Sequence, residues 1–309
     1  MAGINSVIIV FIIIIIGFIC ESKKIWPDET NRVISSIIMN IGAPALAVFS
    51  FTSYFTKEML TSSIVSIALI FTSIMIVFLT GHLISCWLGL DKYKKAVFKV
   101  MFTFTNTIFI GLPINEIVFG SESLPYVFIY FAVSITLFWT LGIYTIRNES
   151  ESENSRKKIG IFSKIMTPGL AGVLVGFILV SLQVQLDLIF SKTLSYLGNV
   201  CIPLALLMIG SNLAKSSLGK IRILKPDVII IILSKLIVGP LIMYLVLRIG
   251  NITGIEASVY IMISAMPCHV QSAIMAEYYK VEGEYASELV AITTILTIVY
   301  VPIYALLLN

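Results

Sequence analysis

The sequence predicts an all-α polytopic membrane protein, with ten transmembrane helices arranged as two inverted five-helix repeats. Three observations carry this expectation. Of 309 residues, 58% are hydrophobic and only 12% charged, against roughly 25% charged in a soluble domain, and no soluble interior of this size hides so much apolar side chain. The apolar residues fall into ten runs of about the 20 residues that a bilayer core requires. The basic residues alternate from loop to loop along the chain.

The ten runs lie near 5–20, 33–54, 61–90, 97–119, 124–146, 164–183, 188–213, 226–249, 256–279 and 285–308. The first, Val7 to Cys20, reads as a spanning helix rather than a cleaved signal, because no Lys or Arg precedes it and no small-residue cleavage site follows. Of the 21 Lys and Arg residues, only Lys57, Lys192 and Arg248 fall in the loops of one side, and Lys235 falls inside the eighth run; all the rest belong to loops of the opposite side. The positive-inside rule puts that basic side in the cytoplasm, which leaves both termini outside a cell (plasma or inner) membrane.

The polar stretch 147–163 is the one candidate linker, and it splits the chain into a first repeat, 1–146, and a second, 164–309. Five is an odd number, so the second repeat enters the membrane from the opposite side, as in many secondary transporters. Sequence echoes support the repeat. Asn40-x-x-x-Pro44 in the second run matches Asn199-x-x-x-Pro203 in the seventh, and the fourth and ninth runs each carry a mid-span proline, Pro113 and Pro267.

Those two prolines mark the candidate site. The fourth run places Asn106 and Thr107 ahead of Gly111 and Pro113, and the ninth surrounds Pro267 with Cys268, His269, Val270 and Gln271. Proline removes a backbone donor, and an unwound helix is tolerated in a bilayer only where protein or a water-filled cavity covers it. A break at Gly111, Pro113 and Pro267 would bare N–H groups that attract anions and carbonyls that attract cations. The alternative is a simple kink at each proline. His269 is a candidate for substrate contact or proton coupling, or a satisfied histidine at a helix contact. Lys235, an intramembrane charge, is a coupling candidate or a residue that snorkels or pairs with a carboxylate. Gly172-x-x-x-Gly176 in the sixth run signals close helix packing.

Other classes find little support. The four cysteines are scattered with no C-x-x-C pair, which points to free thiols and no metal site. No basic stripe interleaved with aromatics points to nucleic acid. No phosphate-binding loop, metalloprotease helix or nucleophile elbow points to an enzyme, and no cofactor is expected. A channel would need a continuous polar path, and a membrane sensor a larger partner surface than these short loops offer.

The segments Asn40-Ile-Gly-Ala-Pro44-Ala-Leu, Asn106-Thr-Ile-Phe-Ile-Gly-Leu-Pro113, Pro203-Leu-Ala-Leu-Leu-Met-Ile-Gly210 and Ala265-Met-Pro267, continuing to Ala276-Glu-Tyr-Tyr279, occur in an order and spacing that resembles the auxin efflux carrier family, the plant PIN-type carriers and prokaryotic permeases. The resemblance covers the whole chain. It implies a ten-helix fold akin to the bile-acid sodium symporters, in which scaffold and transport subdomains each draw on both repeats and the fourth and ninth helices are broken and cross. It implies export of small organic anions, auxin-like or malate-like carboxylates, by alternating access, with a proton or sodium as a possible coupling ion, and a homodimer among membrane lipids. Position by position, the crossing prolines correspond to Pro113 and Pro267, the carboxylate-binding asparagine to Asn106, and the backbone after the ninth-helix crossing to Val270. Polar positions of the plant carriers fall at Ala47 and Thr167, and a small one at His269; these departures set the pocket apart from one for indole-acetate.

Overall fold

The computed structural model describes residues 2–150, 165–215 and 225–308. Beyond residue 150, the expected linker lies outside the described residues. Twelve helices, and no strand, occur among the described residues: α1 (Ala2–Ser22), α2 (Thr30–Tyr54), α3 (Lys57–Trp87), α4 (Lys92–Thr103), α5 (Thr107–Phe119), α6 (Ser121–Asn148), α7 (Pro168–Ser181), α8 (Leu188–Lys215), α9 (Pro226–Ile249), α10 (Gly254–Ser264), α11 (Val270–Tyr278) and α12 (Gly283–Leu308). Each of the ten expected runs is helical, the fourth and ninth as two helices apiece. Among the described residues six helices, α2, α3, α6, α8, α9 and α12, are long and apolar enough to cross a membrane. The 31 residues of α3 extend about 46 Å, more than a hydrocarbon core of about 30 Å, so a tilt or an overhang is built in.

Local chemistry explains where helices start. Thr56, Asp91, Thr167 and Asp187 each accept a first-turn backbone N–H at the starts of α3, α4, α7 and α8, which satisfies donors that a helix start leaves open. Prolines account for three of the helix distortions, whereas the wide turn at Phe138–Gly142 of α6 has no proline after it. Wide π-type turns at Ile38–Gly42, Thr107–Gly111 and Ser234–Val238 lie just ahead of Pro44, Pro113 and Pro240. In each, the next N–H reaches back five residues, as from Leu112 to Thr107 O, so the turn opens where the proline offers no donor. In α8 the matching Asn199-x-x-x-Pro203 segment carries a one-residue interruption at Val200.

This relocates one sequence expectation. The fourth run is broken at Phe104–Asn106, ahead of Thr107, and not at Gly111 and Pro113. Those two residues lie inside α5, where the π turn absorbs the missing donor and Asn115 Nδ2 donates to Gly111 O at 2.7 Å. The ninth run does break around Pro267, between Ser264 and Val270.

The helices pack as two groups. In one, α1 lies along α8 while α2 lies along α7 and α8. Glycines set these contacts: a Cβ at Gly172 would stand 2.6 Å from the Pro44 backbone, one at Gly176 2.9 Å from the Phe51 side chain, and one at Gly198 2.8 Å from Leu46 Cα. Gly17 and Gly210 likewise let the backbones of α1 and α8 touch. The Gly172-x-x-x-Gly176 signal is therefore a seam between α7 and α2. The second group holds α3, α4, α6, α9, α10, α11 and α12, and at the basic end Lys94 of α4 pairs with Asp227 of α9 at 2.7 Å beneath the ring of Tyr285 of α12. Helix α5 belongs to neither alone, since it touches α6 and α10 on one side and α1 and α8 on the other.

Gly172→Leu is expected to force α7 off α2 at a cost on the order of 1–3 kcal/mol, the usual penalty for overpacking. A thermal melt of detergent-purified protein would show it as a lowered midpoint, and an unchanged midpoint would mean that the seam is loose.

Candidate functional site

The two broken helix pairs meet at their breaks. Thr105 and Cys268 form one antiparallel bridge. Asn106 N–H donates to Pro267 O at 2.9 Å, and His269 N–H donates to Phe104 O at 3.3 Å. Two short extended segments thus pass each other and satisfy backbone groups that the breaks release. Pro267 suits its place, because the crossing needs its carbonyl and not a donor. Around the bridge, Cys268 N–H donates to Thr293 Oγ1 of α12 at 3.1 Å, and Cys268 Sγ donates to Met101 O of α4 at 3.4 Å.

Four helix ends converge here. The ends of α4 and α10 bare carbonyls, and the starts of α5 and α11 bare N–H groups. The carbonyl ends face α9. Lys235 Nζ donates to Phe102 O and Phe104 O at 3.0 Å each, Ser234 Oγ reaches Phe102 O at 3.4 Å, and Gly239 packs so close to Ser264 O that a Cβ there would stand 3.1 Å from it. The N–H ends face a cavity of about 440 Å³. Asn106, at the head of α5, and Val270, at the head of α11, line its inner end. Met208, Ile209 and Asn212 of α8 and Ser287, Val290 and Thr294 of α12 supply other walls.

Asn106 is 2% exposed. Its Oδ1 accepts Phe109 N–H at 3.2 Å and its backbone carbonyl accepts Gly111 N–H at 2.9 Å. With Oδ1 engaged as the cap of α5, the Nδ2 amide is the donor left for the cavity. The rim is polar and exposed: Asn212, Ser287 and Glu277. Glu277 is the one charged group in the lining. Toward the other face a void of about 30 Å³, walled by Ile14, Ile110, Ile114, Leu206, Ile209 and neighbours, continues the cavity behind apolar side chains. The cavity thus opens on the side of Asn212 and Glu277 and is closed by isoleucines on the other.

The chain matches, over residues 2–305, a family described as "Membrane transport protein". It belongs to that family, the auxin efflux carrier family. The chain is 25% identical over 313 residues to a protein of Methanothermobacter thermautotrophicus described as an uncharacterized transporter, covering 100% of this chain and 99% of that one. It is 22% identical over 316 residues to another uncharacterized transporter, of Methanocaldococcus jannaschii, covering both chains completely. The protein is a multi-pass membrane transporter of the auxin efflux carrier family.

Within this family member, the residues singled out from sequence divide three ways. Asn106 and Val270 line the cavity. Thr107, Pro113 and Gln271, on α5 and α11, and Pro267 and His269, in the break between α10 and α11, lie outside that lining. The His269 ring stands edge-on to Phe138 at 4.6 Å, and its Nδ1 lies 3.3 Å from Ser272 Oγ. Ala47 and Thr167 are not brought to the cavity: Ala47 is buried within α2, and Thr167 caps α7 by accepting Leu170 N–H at 3.2 Å. Asn212, Ser287 and Thr294 were not singled out by sequence. They sit on helices far apart in the chain, and no local motif marks them.

Thr293→Val keeps the shape of the side chain and removes the acceptor of the buried Cys268 N–H. Leaving that donor unpaired is expected to cost about 1–3 kcal/mol, seen as a lower melting midpoint, whereas a wild-type midpoint would mean that Cys268 finds another acceptor.

Proposed function

We propose that this carrier moves small organic anions, carboxylates of auxin-like or malate-like size, across the cell membrane by alternating access, with net export. The observation that carries the reading is the convergence of two helix N-termini and the Asn106 amide on one cavity. A helix start carries roughly half a positive charge and offers N–H donors to an anion without a lysine or arginine. A carboxylate seated there would accept from Asn106 Nδ2 and from the first N–H groups of α11 at Val270. Apolar walls from Phe109, Ile110, Met208, Ile209 and Val290 would hold the organic remainder.

The cavity's place between α8 of one helix group and α5, α11 and α12 of the other supports alternating access. Sliding of the crossed-helix group along α1 and α8 would part the isoleucines of the far side and close the rim at Asn212 and Glu277. In this reading the chain crosses the membrane ten times, with α4–α5 and α10–α11 each counting as one crossing, and the two halves are inverted repeats. The basic side, onto which the cavity opens, is the cytoplasm, and both termini lie outside.

The test is current on a solid-supported membrane carrying proteoliposomes of purified protein, challenged with mono- and dicarboxylates, with isotope counterflow run beside it to catch an electroneutral cycle. A saturable signal is expected for at least one acid. Asn106→Ala should weaken its half-saturation by roughly 10-fold or more, the effect of losing one hydrogen bond to a charged group. Neither current nor counterflow with any acid, in folded protein, would reject organic anions as the substrate class. Topology has its own test: single cysteines at Lys57 and at Lys280 should react with an impermeant maleimide from opposite sides of the membrane, Lys57 from outside.

A further inference from the structure

Lys235 is the only lysine or arginine among the described residues that is fully buried, at 1% exposure. It can neither snorkel to an interface nor pair with an acid. The ion pairs Lys94–Asp227 and Lys215–Glu21 lie elsewhere. Its Nζ instead sits between Phe102 O and Phe104 O, 3.0 Å from each. These carbonyls belong to the last turn and first extended residue where α4 breaks, so they are bared by the crossing itself. A buried ammonium with no counter-charge is costly. The partial negative charge at the end of α4 is what offsets it here; Ser234 Oγ lies beside the same rim, 3.4 Å from Phe102 O, while its proton goes to Ile231 O at 2.7 Å.

The position is one that a small cation would otherwise take. Unwound carbonyls at a half-helix end coordinate monovalent ions in membrane carriers, and the donor set here is of that kind: two backbone carbonyls with a hydroxyl beside them. We propose that the ammonium of Lys235 is the resident cation of the crossing, a positioning residue tethered to α9 that fills this place permanently, so that the crossing requires no sodium or potassium ion. The π turn at Ser234–Val238 fits the role. It lies ahead of Pro240 and includes both Ser234 and Lys235, whose side chains turn together onto the end of α4. The inference concerns the backbone of the crossing and stands whether or not the cavity accepts an organic anion.

The test uses melting of the full-length protein in detergent, which needs no substrate. Wild-type protein, Lys235→Ala and Lys235→Met are melted in choline, sodium, potassium and 1-propylammonium chloride at equal ionic strength. The wild-type midpoint should be the same in all four salts. Lys235→Ala should melt lower in choline by roughly 5 °C or more and regain at least half of that in sodium or 1-propylammonium, which can refill the vacated place. Lys235→Met, whose thioether occupies the space without a charge, should melt low in every salt. A rescue by cation is the readout that loss of packing would not produce. The proposal fails if sodium or potassium raises the wild-type midpoint saturably, if Lys235→Met melts like wild type, or if Lys235→Ala ignores the cation. Should neither variant fold, the wild-type salt series decides alone.

Discussion

Every buried N–H and carbonyl in a membrane interior has to find its partner within the protein, and this structure is organised around a crossing where helices fail to provide them. At Phe104–Asn106 and again between Ser264 and Val270 the ladder stops. The released groups are met by the Thr105–Cys268 bridge, by Lys235 and Ser234 from α9, by Thr293 from α12 and by the Asn106 cap on α5. Two of these partners come from α9 and one from α12, so those helices are held where they are because the breaks need them. The packing of the second helix group follows from that demand.

The two groups use different physics, and the difference bears on motion. In the first, glycines bring the backbones of α1, α2, α7 and α8 into contact. Such seams are short-range and unforgiving, because the smallest added side chain meets backbone. The second group is tied by hydrogen bonds at the crossing and by Lys94, Asp227 and Tyr285 at the basic end. Between the groups lie the cavity and its apolar continuation, where the contacts are Ile110, Ile114, Leu206 and Ile209 rather than polar pairs. Side chains of that kind can part and re-form against one another without stranding a donor. On the proposed alternating-access reading, the interface that would move is one with little hydrogen bonding to lose.

Much of this was legible in the residues and some was not. Long apolar runs marked the helices because bilayer thickness fixes their length; the run near 226–249 coincides with α9. The breaks were legible as a pair but the first was misplaced. Pro113 is a strong local signal, yet a π turn accommodates it, and the real break at Phe104–Asn106 is met by partners from α9 and from the break between α10 and α11 that no local pattern displays. Gly172 and Gly176 were readable as a packing seam because four-residue spacing puts both on one helix face. Asn106 was legible as a hydrogen-bonding group at membrane depth, but its use as the cap of α5 was not. Ala47 and Thr167 were carried over from the resemblance alone, and the fold uses them as core and cap. Lys235 stood out as a charge in a span, but its partners are backbone carbonyls more than 130 residues away in the chain, beyond any reading of side-chain types.

The antiparallel crossing also sorts charge. When two helices break and pass each other in opposite directions, their two carbonyl ends and two N–H ends need not share a side, yet here they are separated. Both carbonyl ends face α9, where Lys235 neutralises one and Gly239 lets the other approach the α9 backbone. Both N–H ends face the cavity, where no side chain of opposite charge meets them. Glu277, the one carboxylate of the lining, lies about two turns from Val270 along α11, or roughly 10 Å. It folds over Gly283 at the start of α12, where a carboxylate is favoured by that helix's own dipole. Because the protein supplies a cation for the carbonyl ends and none of its own acids for the N–H ends, the unmatched charge at the inner end of the cavity is positive. On the proposed reading, an anion from outside the protein would complete it.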